Sequence, residues 1–260
     1  MSAPTTTSYP DLLQLEHEQP DQQLHYGDDP LQFVEGWIHD EAAPTLFMIH
    51  GGCWLSEYDV SHVRPLCTAV RALGINVWSL EYRRIGDPGG GWPGTFEDVI
   101  AGLRHWHRSL AAERQRGLWL AGHSAGGHLA VWASTRLQNG SVDPGGLVVE
   151  KTLGLAAILD LTGYAAGDSD CEKATVALLD GSPAERPQRY IKAAPIRTRT
   201  NRGITLLTGG EDTIVGPEHA SWFIAESTAD VVNIEGAGHF DLVNPLAPAF
   251  STLRSVLLSA

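Results

Sequence analysis

The sequence predicts an α/β protein whose mostly parallel sheet is covered by helices on both faces, and three observations carry that expectation. Short continuous apolar runs at 45–49, 75–80 and 117–121 have the length and composition of strands buried on both faces. Each ends in a turn, and helical patterns at about 60–73 and 95–113 separate them. No linker composition or internal repeat divides the 260 residues, so a single domain is expected.

Along the chain, residues 1–24 are polar and Pro-punctuated and read as a surface-lying or partly disordered arm, with a helical turn around Leu12–Leu15. The domain proper then spans 25–260. Leu31 to His39 reads as an edge-type strand. The helix at 95 has a start signal, since Thr95 can cap with Asp98 three residues on, and Pro93-Gly94 excludes earlier helix. A helix over 125–138 follows the third buried run. Further apolar runs lie at 152–159, 204–208 and 231–234, with helical stretches near 172–180, 216–227 and 247–259, and residues 161–195 can form a small cap. The Gly-rich stretch from Gly86 to Gly94 lacks the G-K-[ST] ending of a phosphate loop, and its prolines remove amide donors; it reads as a surface loop.

Composition narrows the function classes. Eighteen Lys and Arg against 31 Asp and Glu give a formal charge of −13, which repels a phosphate backbone, so nucleic acid is not an expected partner. Residues 1–63 carry eleven acidic groups and no Lys or Arg, and this reads as a solvated face. No apolar run approaches the ~18 residues of a membrane span, so a soluble protein is expected. The first twenty residues resemble neither a secretory signal nor a transit peptide, which makes the cytoplasm the default compartment. Cys53, Cys67 and Cys171 are odd in number and widely spaced, so reduced thiols are expected for all three.

The chemistry is concentrated in a few segments. Gly122-His123-Ser124-Ala125-Gly126 satisfies G-x-S-x-G between a buried strand and a helix, where a sharp, strained turn projects Ser124 as a nucleophile and aims the Ala125 amide at a developing oxyanion. His50-Gly51-Gly52-Cys53-Trp54 follows the strand at 45–49; its glycines allow close backbone approach, which assigns the other oxyanion donors to the amides of Gly52 and Cys53 and leaves His50 a structural role. Of eleven histidines, His239 in Gly236-Ala237-Gly238-His239-Phe240-Asp241 is best placed as the base. His105 and His107, at i and i+2 of a helix, face different directions and make no metal pair. His123 and His128 read as packing residues. Gly209-Gly210-Glu211-Asp212-Thr213 supplies the acid, with Asp212 favoured over Glu211; Asp160 is the runner-up, although it reads better as a cap for the segment at Leu161. The order Ser, Asp, His is that of the α/β-hydrolases.

On these motifs the sequence resembles the α/β-hydrolase superfamily, in particular its esterase and kynurenine formamidase-like branch. Tyr26 to Pro30 looks like the entry segment of that branch, His50 to Trp54 its oxyanion loop, Glu81-Tyr82-Arg83 its post-strand motif and Gly122 to Leu129 its nucleophile elbow. The likeness runs over roughly residues 24–250. It implies a sheet of about eight strands with Ser124, Asp212 and His239 meeting at the carboxyl ends, no metal and no organic cofactor. Two departures stand out: Cys53 takes a position often aromatic, and Gly209 to Val215 looks more like the general esterase and peptidase pattern. The expected activity is therefore hydrolysis of small carboxylic esters through an acyl-enzyme, with arylformamidase, a non-catalytic hydrolase-fold binding protein and a long-chain lipase as alternatives. Trp54, Trp92 and Phe240 are candidate substrate walls. The expected partner is a small ester or amide, with a homodimer left open.

Overall fold

The computed structural model describes residues 6–109 and 118–259. Eight strands form one sheet: β1 Gln22–His25, β2 Phe33–Trp37, β3 Thr45–Ile49, β4 Asn76–Leu80, β5 Leu118–His123, β6 Val149–Leu155, β7 Ile204–Gly209 and β8 Asp230–Ile234. Their order is β1-β2-β4-β3-β5-β6-β7-β8. The β1–β2 and β2–β4 pairs are antiparallel and the rest parallel. The chain moves from β3 outward to β4 and then returns to the other side of β3 as β5. That reversal opens a crevice beyond the carboxyl ends of β3 and β5, the place where open α/β sheets bind ligands.

The strands read from sequence correspond to β2, β3, β4, β5, β7 and β8, although β2 is not the expected edge, being paired with β1 on one side and β4 on the other. Every residue of β4 and of β5 is buried, which is why apolar residues dominate both, with Asn76, Ser79 and His123 as buried polar members. The helices among the described residues are α1 Tyr9–Leu13, α2 Arg64–Arg71, α3 Gly94–Ser109, α4 Ala125–Gln138, α5 Leu161–Tyr164, α6 Asp170–Leu178, α7 Pro187–Ala193, α8 Glu218–Ile224 and α9 Ala249–Leu258. The expected helical residues 110–113, Gly117 and residues 1–5 of the arm lie outside the described residues. α4 is buried almost all round, with 12 of its 14 residues inside, because it crosses the sheet under the crevice.

Several expectations change. β6 stops at Leu155 rather than running to 159: Ala156 turns to φ 45°, and residues 156–159 continue as a buried non-strand segment. The Thr95–Asp98 capping box does not form. The Thr95 hydroxyl donates to the Arg83 carbonyl (2.6 Å), and Asp98 instead takes a bidentate Arg83 guanidinium (2.7 and 2.8 Å). That pair fastens the start of α3 to the segment after β4. Within the described part of the arm, α1 forms and Leu12 is fully buried.

Register places the functional segments together. Ile49 of β3 lies beside Leu80 of β4 and Gly122 of β5, His123 beside Leu155 of β6, Leu155 beside Leu207 of β7, and Gly209 beside Ile234 of β8. The loops that follow these ends therefore open on one edge, and they carry His50–Trp54, Ser124, Asp212 and His239.

Candidate active site

Ser124 stands between β5 and α4 at φ 55°, ψ −119°. A non-glycine residue there costs roughly 1–3 kcal/mol and persists only where its surroundings over-determine it. Here they do. The Ser124 amide donates to the Leu155 carbonyl (2.8 Å), and the Ser124 carbonyl accepts from His128 (3.0 Å) and Ile158 (3.3 Å). The flanking glycines are steric requirements: a Cβ on Gly122 would lie 2.1 Å from the Gly126 carbonyl, and one on Gly126 would lie 2.1 Å from the Ile49 oxygen.

Asp212 and His239 are joined, with His239 Nδ1 2.7 Å from Asp212 Oδ2 and both side chains almost wholly buried. The other Asp212 oxygen accepts the Ile214 and Val215 amides at 2.8 and 2.9 Å. An ionised carboxylate accepts only, so Nδ1 carries the proton and Nε2 is left with the basic lone pair. The His239 ring centre lies 4.6 Å from that of His123, the residue before Ser124. His123 is buried and donates from Nε2 to the His239 carbonyl (3.0 Å), pinning the His239 backbone. Burial and the neighbouring His239 and His62 hold its pKa well below the usual histidine value. His128 likewise serves structure, its Nε2 bonding the Ala193 carbonyl (2.9 Å). Asp160 accepts the Gly163 amide (3.0 Å) as the cap of α5, and Glu211 is exposed.

The loop after β3 passes directly over Ser124, since a Cβ on Gly51 would come within 3.1 Å of Ser124 Cβ. Gly52, Cys53 and Trp54 follow with φ 104°, 53° and 57°, three consecutive residues in the left-handed region. For Cys53 and Trp54 that costs roughly 1–2 kcal/mol each. Among the described residues the amides of Gly52, Cys53 and Ala125 have no protein acceptor, as oxyanion donors require. Beneath the loop, His50 is fully buried between the Gly51 carbonyl at Nδ1 (2.8 Å) and Glu81 at Nε2 (3.0 Å), with Tyr82 stacked on its ring at 4.5 Å. Burial would raise the Glu81 pKa; His50, the Arg84 guanidinium and the Val60 amide outweigh it and hold the carboxyl below its ordinary value.

Cys53 and Cys171 form a disulfide, with Cα atoms 5.0 Å apart across 118 residues of sequence. This corrects the expectation of three reduced thiols; Cys67 alone is free, and it is buried. Count and spacing could not reveal the pair, because Cys171 comes from α6 in the segment between β6 and β7. The bond is of the kind that oxidising compartments preserve. Among the described residues no helix is long and apolar enough to cross a membrane.

Of the three candidate walls, Phe240 packs on the His239 ring at 5.0 Å. Trp54 is fully buried and meets His128 edge-on at 5.3 Å, beneath the loop. Trp92 lines a groove of about 370 Å³ with Phe96, Ile100 and Trp132, whose lining includes neither Ser124 nor His239. The site also recruits residues that sequence reasoning missed. Asp241 accepts the Gly238 amide (2.7 Å) with one oxygen and the Thr7 amide (3.0 Å) and hydroxyl with the other. Tyr9, in α1, packs against Tyr58 at 5.0 Å and Phe240 at 6.1 Å. The arm thus bridges the segment at Tyr58 and the segment at Phe240–Asp241. With Thr7 and Asp241 separated by 234 positions in sequence, no local signal could have announced that contact.

The sheet order, the strained serine turn and the buried Asp–His pair define an α/β-hydrolase fold. Residues 38–226 match the BD-FAE family, and the chain belongs to it. Solved structures agree in fold. Esterase B from Lactobacillus Rhamnosis (HN001) superposes with a TM-score of 0.72 at 19% identity, covering 94% of this chain and 87% of that one. A truncated carbohydrate esterase from gut microbiota gives 0.75 at 17%, covering 93% and 96%. The hyperthermophilic esterase from Pyrobaculum calidifontis gives 0.71 at 17%, covering 96% and 85%. No curated protein matches the chain.

Proposed function

We propose that the protein is a serine hydrolase of small carboxylic esters that works through an acyl-enzyme on Ser124. The observation that carries this reading is the 2.7 Å His239–Asp212 pair, with the His239 ring centre 4.6 Å from that of His123, the residue before the strained Ser124, and with the Gly52, Cys53 and Ala125 amides lacking a protein acceptor among the described residues. His239 Nε2 takes the proton from Ser124 Oγ as that oxygen attacks the ester carbonyl carbon. The Gly52, Cys53 and Ala125 amides hold the resulting oxyanion. As the tetrahedral intermediate collapses, His239 gives its proton to the departing alcohol. Water then enters, loses a proton to His239, attacks the acyl carbon and releases the acid, returning the proton to Ser124. Asp212 keeps the imidazole in the required tautomer throughout. The esterase neighbours are compatible with this chemistry at the level of fold.

Cys53 takes a position that is often aromatic in the branch the sequence resembles, and its disulfide to Cys171 ties it to α6; we infer a preference for short acyl groups. A panel of acyl esters beside an N-formyl arylamine tests the reading. Acetyl to butyryl esters are expected to show the higher kcat/KM, with activity falling beyond ~8 carbons. A formyl arylamine turned over at least ~10-fold better than every ester makes the enzyme an arylformamidase, and no turnover of any member favours a binding role.

A further inference from the structure

We propose that the Cys53–Cys171 disulfide is a positioning element of the acyl-transfer step: it holds the oxyanion loop in its donating conformation, and its reduction slows turnover. The inference rests on the function proposed above and concerns what keeps one of its parts in place. Gly52, Cys53 and Trp54 stand at φ 104°, 53° and 57° in succession. Two of them carry a Cβ, so the conformation is costly; the Leu55 amide closes the turn onto the Gly52 carbonyl (2.9 Å), and the rest of the restraint comes from the surroundings. Downstream, it is imposed by the Ile85 amide on the Trp54 carbonyl (2.8 Å), by the Leu55–Ile85 bridge and by the buried Trp54 ring. Upstream, Gly51 is wedged against Ser124. Between them, Cys53 makes no backbone hydrogen bond among the described residues, so the disulfide is the tie at a residue whose amide is a proposed oxyanion donor.

The far end of that tie is firm. Cys171 sits in the first turn of α6, whose start is fixed by a reciprocal capping box between Ser169 and Glu172. Its last residue, Leu178, is fully buried, and the Leu178 carbonyl accepts the Trp92 amide at 2.8 Å. The position of α6 is therefore transmitted through two sulfur atoms to a donor amide. Both cystine residues are partly exposed while Cys67 is buried, so a small dithiol reaches the bond and meets no other reactive thiol. In that exchange the dithiol gives two electrons and two protons to the cystine sulfurs, leaving two thiols, and closes to its own cyclic disulfide.

The experiment compares oxidised enzyme, enzyme reduced with dithiothreitol, and Cys171→Ser, with maleimide mass-labelling to count free thiols and circular dichroism to follow the fold. Misplacing one donor of three is expected to lower kcat by ~10- to 10²-fold, with KM within ~2-fold, and to slow organophosphate labelling of Ser124 by the same factor. Glutathione disulfide restores the reduced wild type, and Cys171→Ser responds to neither reagent. Full kcat with both thiols free overturns the proposal. So does loss of the fold on reduction, since the bond then serves stability alone, and so does a lowered melting temperature with unchanged kcat. Ser124→Ala, assayed beside these, separates the two readings. If it is inactive while the reduced enzyme is fully active, only the positioning role fails; if it retains wild-type turnover, the serine mechanism fails.

Discussion

Lowering the pH from 7.5 to 5.5 should destabilise this protein well before its carboxylates titrate, because three histidines are folded into places where a charge is not tolerated. His62, His123 and His128 are each no more than 1% exposed. Burial is the main cause of their shifts, pushing His62 down to about 3, His128 to about 4 and His123 well below its ordinary value; the neighbouring His50 adds to the shift at His62. The unfolded chain protonates such residues near the ~6.5 reference, so between 6.5 and the folded values it binds more protons than the native state, and stability rises with pH. The neutral-histidine contribution is thus complete above 6.5 and is lost as pH falls toward 4 and 3. At pH 5.5 each group costs about 1.4 kcal/mol, and together about 4 kcal/mol, a large share of a typical 5–15. His107 and His219 are shifted in the same direction, also chiefly by burial. With a urea m-value of roughly 3 kcal/mol/M, the unfolding midpoint should drop by more than about 1 M from pH 7.5 to 5.5. His128→Asn should remove about one third of that drop. A midpoint constant within ~0.2 M across this range would refute the reasoning.

Asp212→Asn should cut kcat on the order of 10⁴-fold, because an amide no longer fixes the tautomer of His239, whereas Glu211→Gln and Asp160→Asn should stay within a few-fold; steady-state kinetics on one short ester decides, and a larger loss at Asp160 would relocate the acid. Gly126→Ala puts a methyl 2.1 Å from the Ile49 oxygen and 2.3 Å from that of His50, so it should lower the melting temperature sharply and abolish activity; a stable, active variant would contradict the packing of the elbow. Thr7→Val removes the hydroxyl that links Asp241 and Asn244 and should cost about 1 kcal/mol with a several-fold fall in kcat; unchanged kinetics would show that the arm does not steady the loop of His239.

What the sequence revealed follows from how locally each feature is determined. β3, β4 and β5 are legible because burial on both faces leaves runs dominated by apolar residues, and the elbow is legible because close backbone approaches admit only glycine at 122 and 126. β1 is hidden because Gln22–His25 is an edge strand with both faces largely exposed, so its side chains show no apolar alternation. The end of β6 is misread because residues 156–159 stay apolar after leaving the sheet, being buried as a loop. α7, seven residues beginning at Pro187, is too short to show a period. The cystine, the Thr7–Asp241 contact and the Arg83–Asp98 clamp join residues far apart in the chain, and pairing of that kind belongs to topology rather than to local pattern.

Covalent labelling tests the central claim most directly. Treated with an organophosphate at neutral pH and digested for peptide mass mapping, the protein should carry one phosphoryl group per chain, on Ser124. Ester hydrolysis should fall in proportion to labelling, and Ser124→Ala should neither label nor turn over above a residue ~10⁴-fold below wild type. Stoichiometric inhibition with the label on another residue, or a Ser124→Ala protein free of contaminating hydrolase that keeps wild-type turnover, would contradict the account.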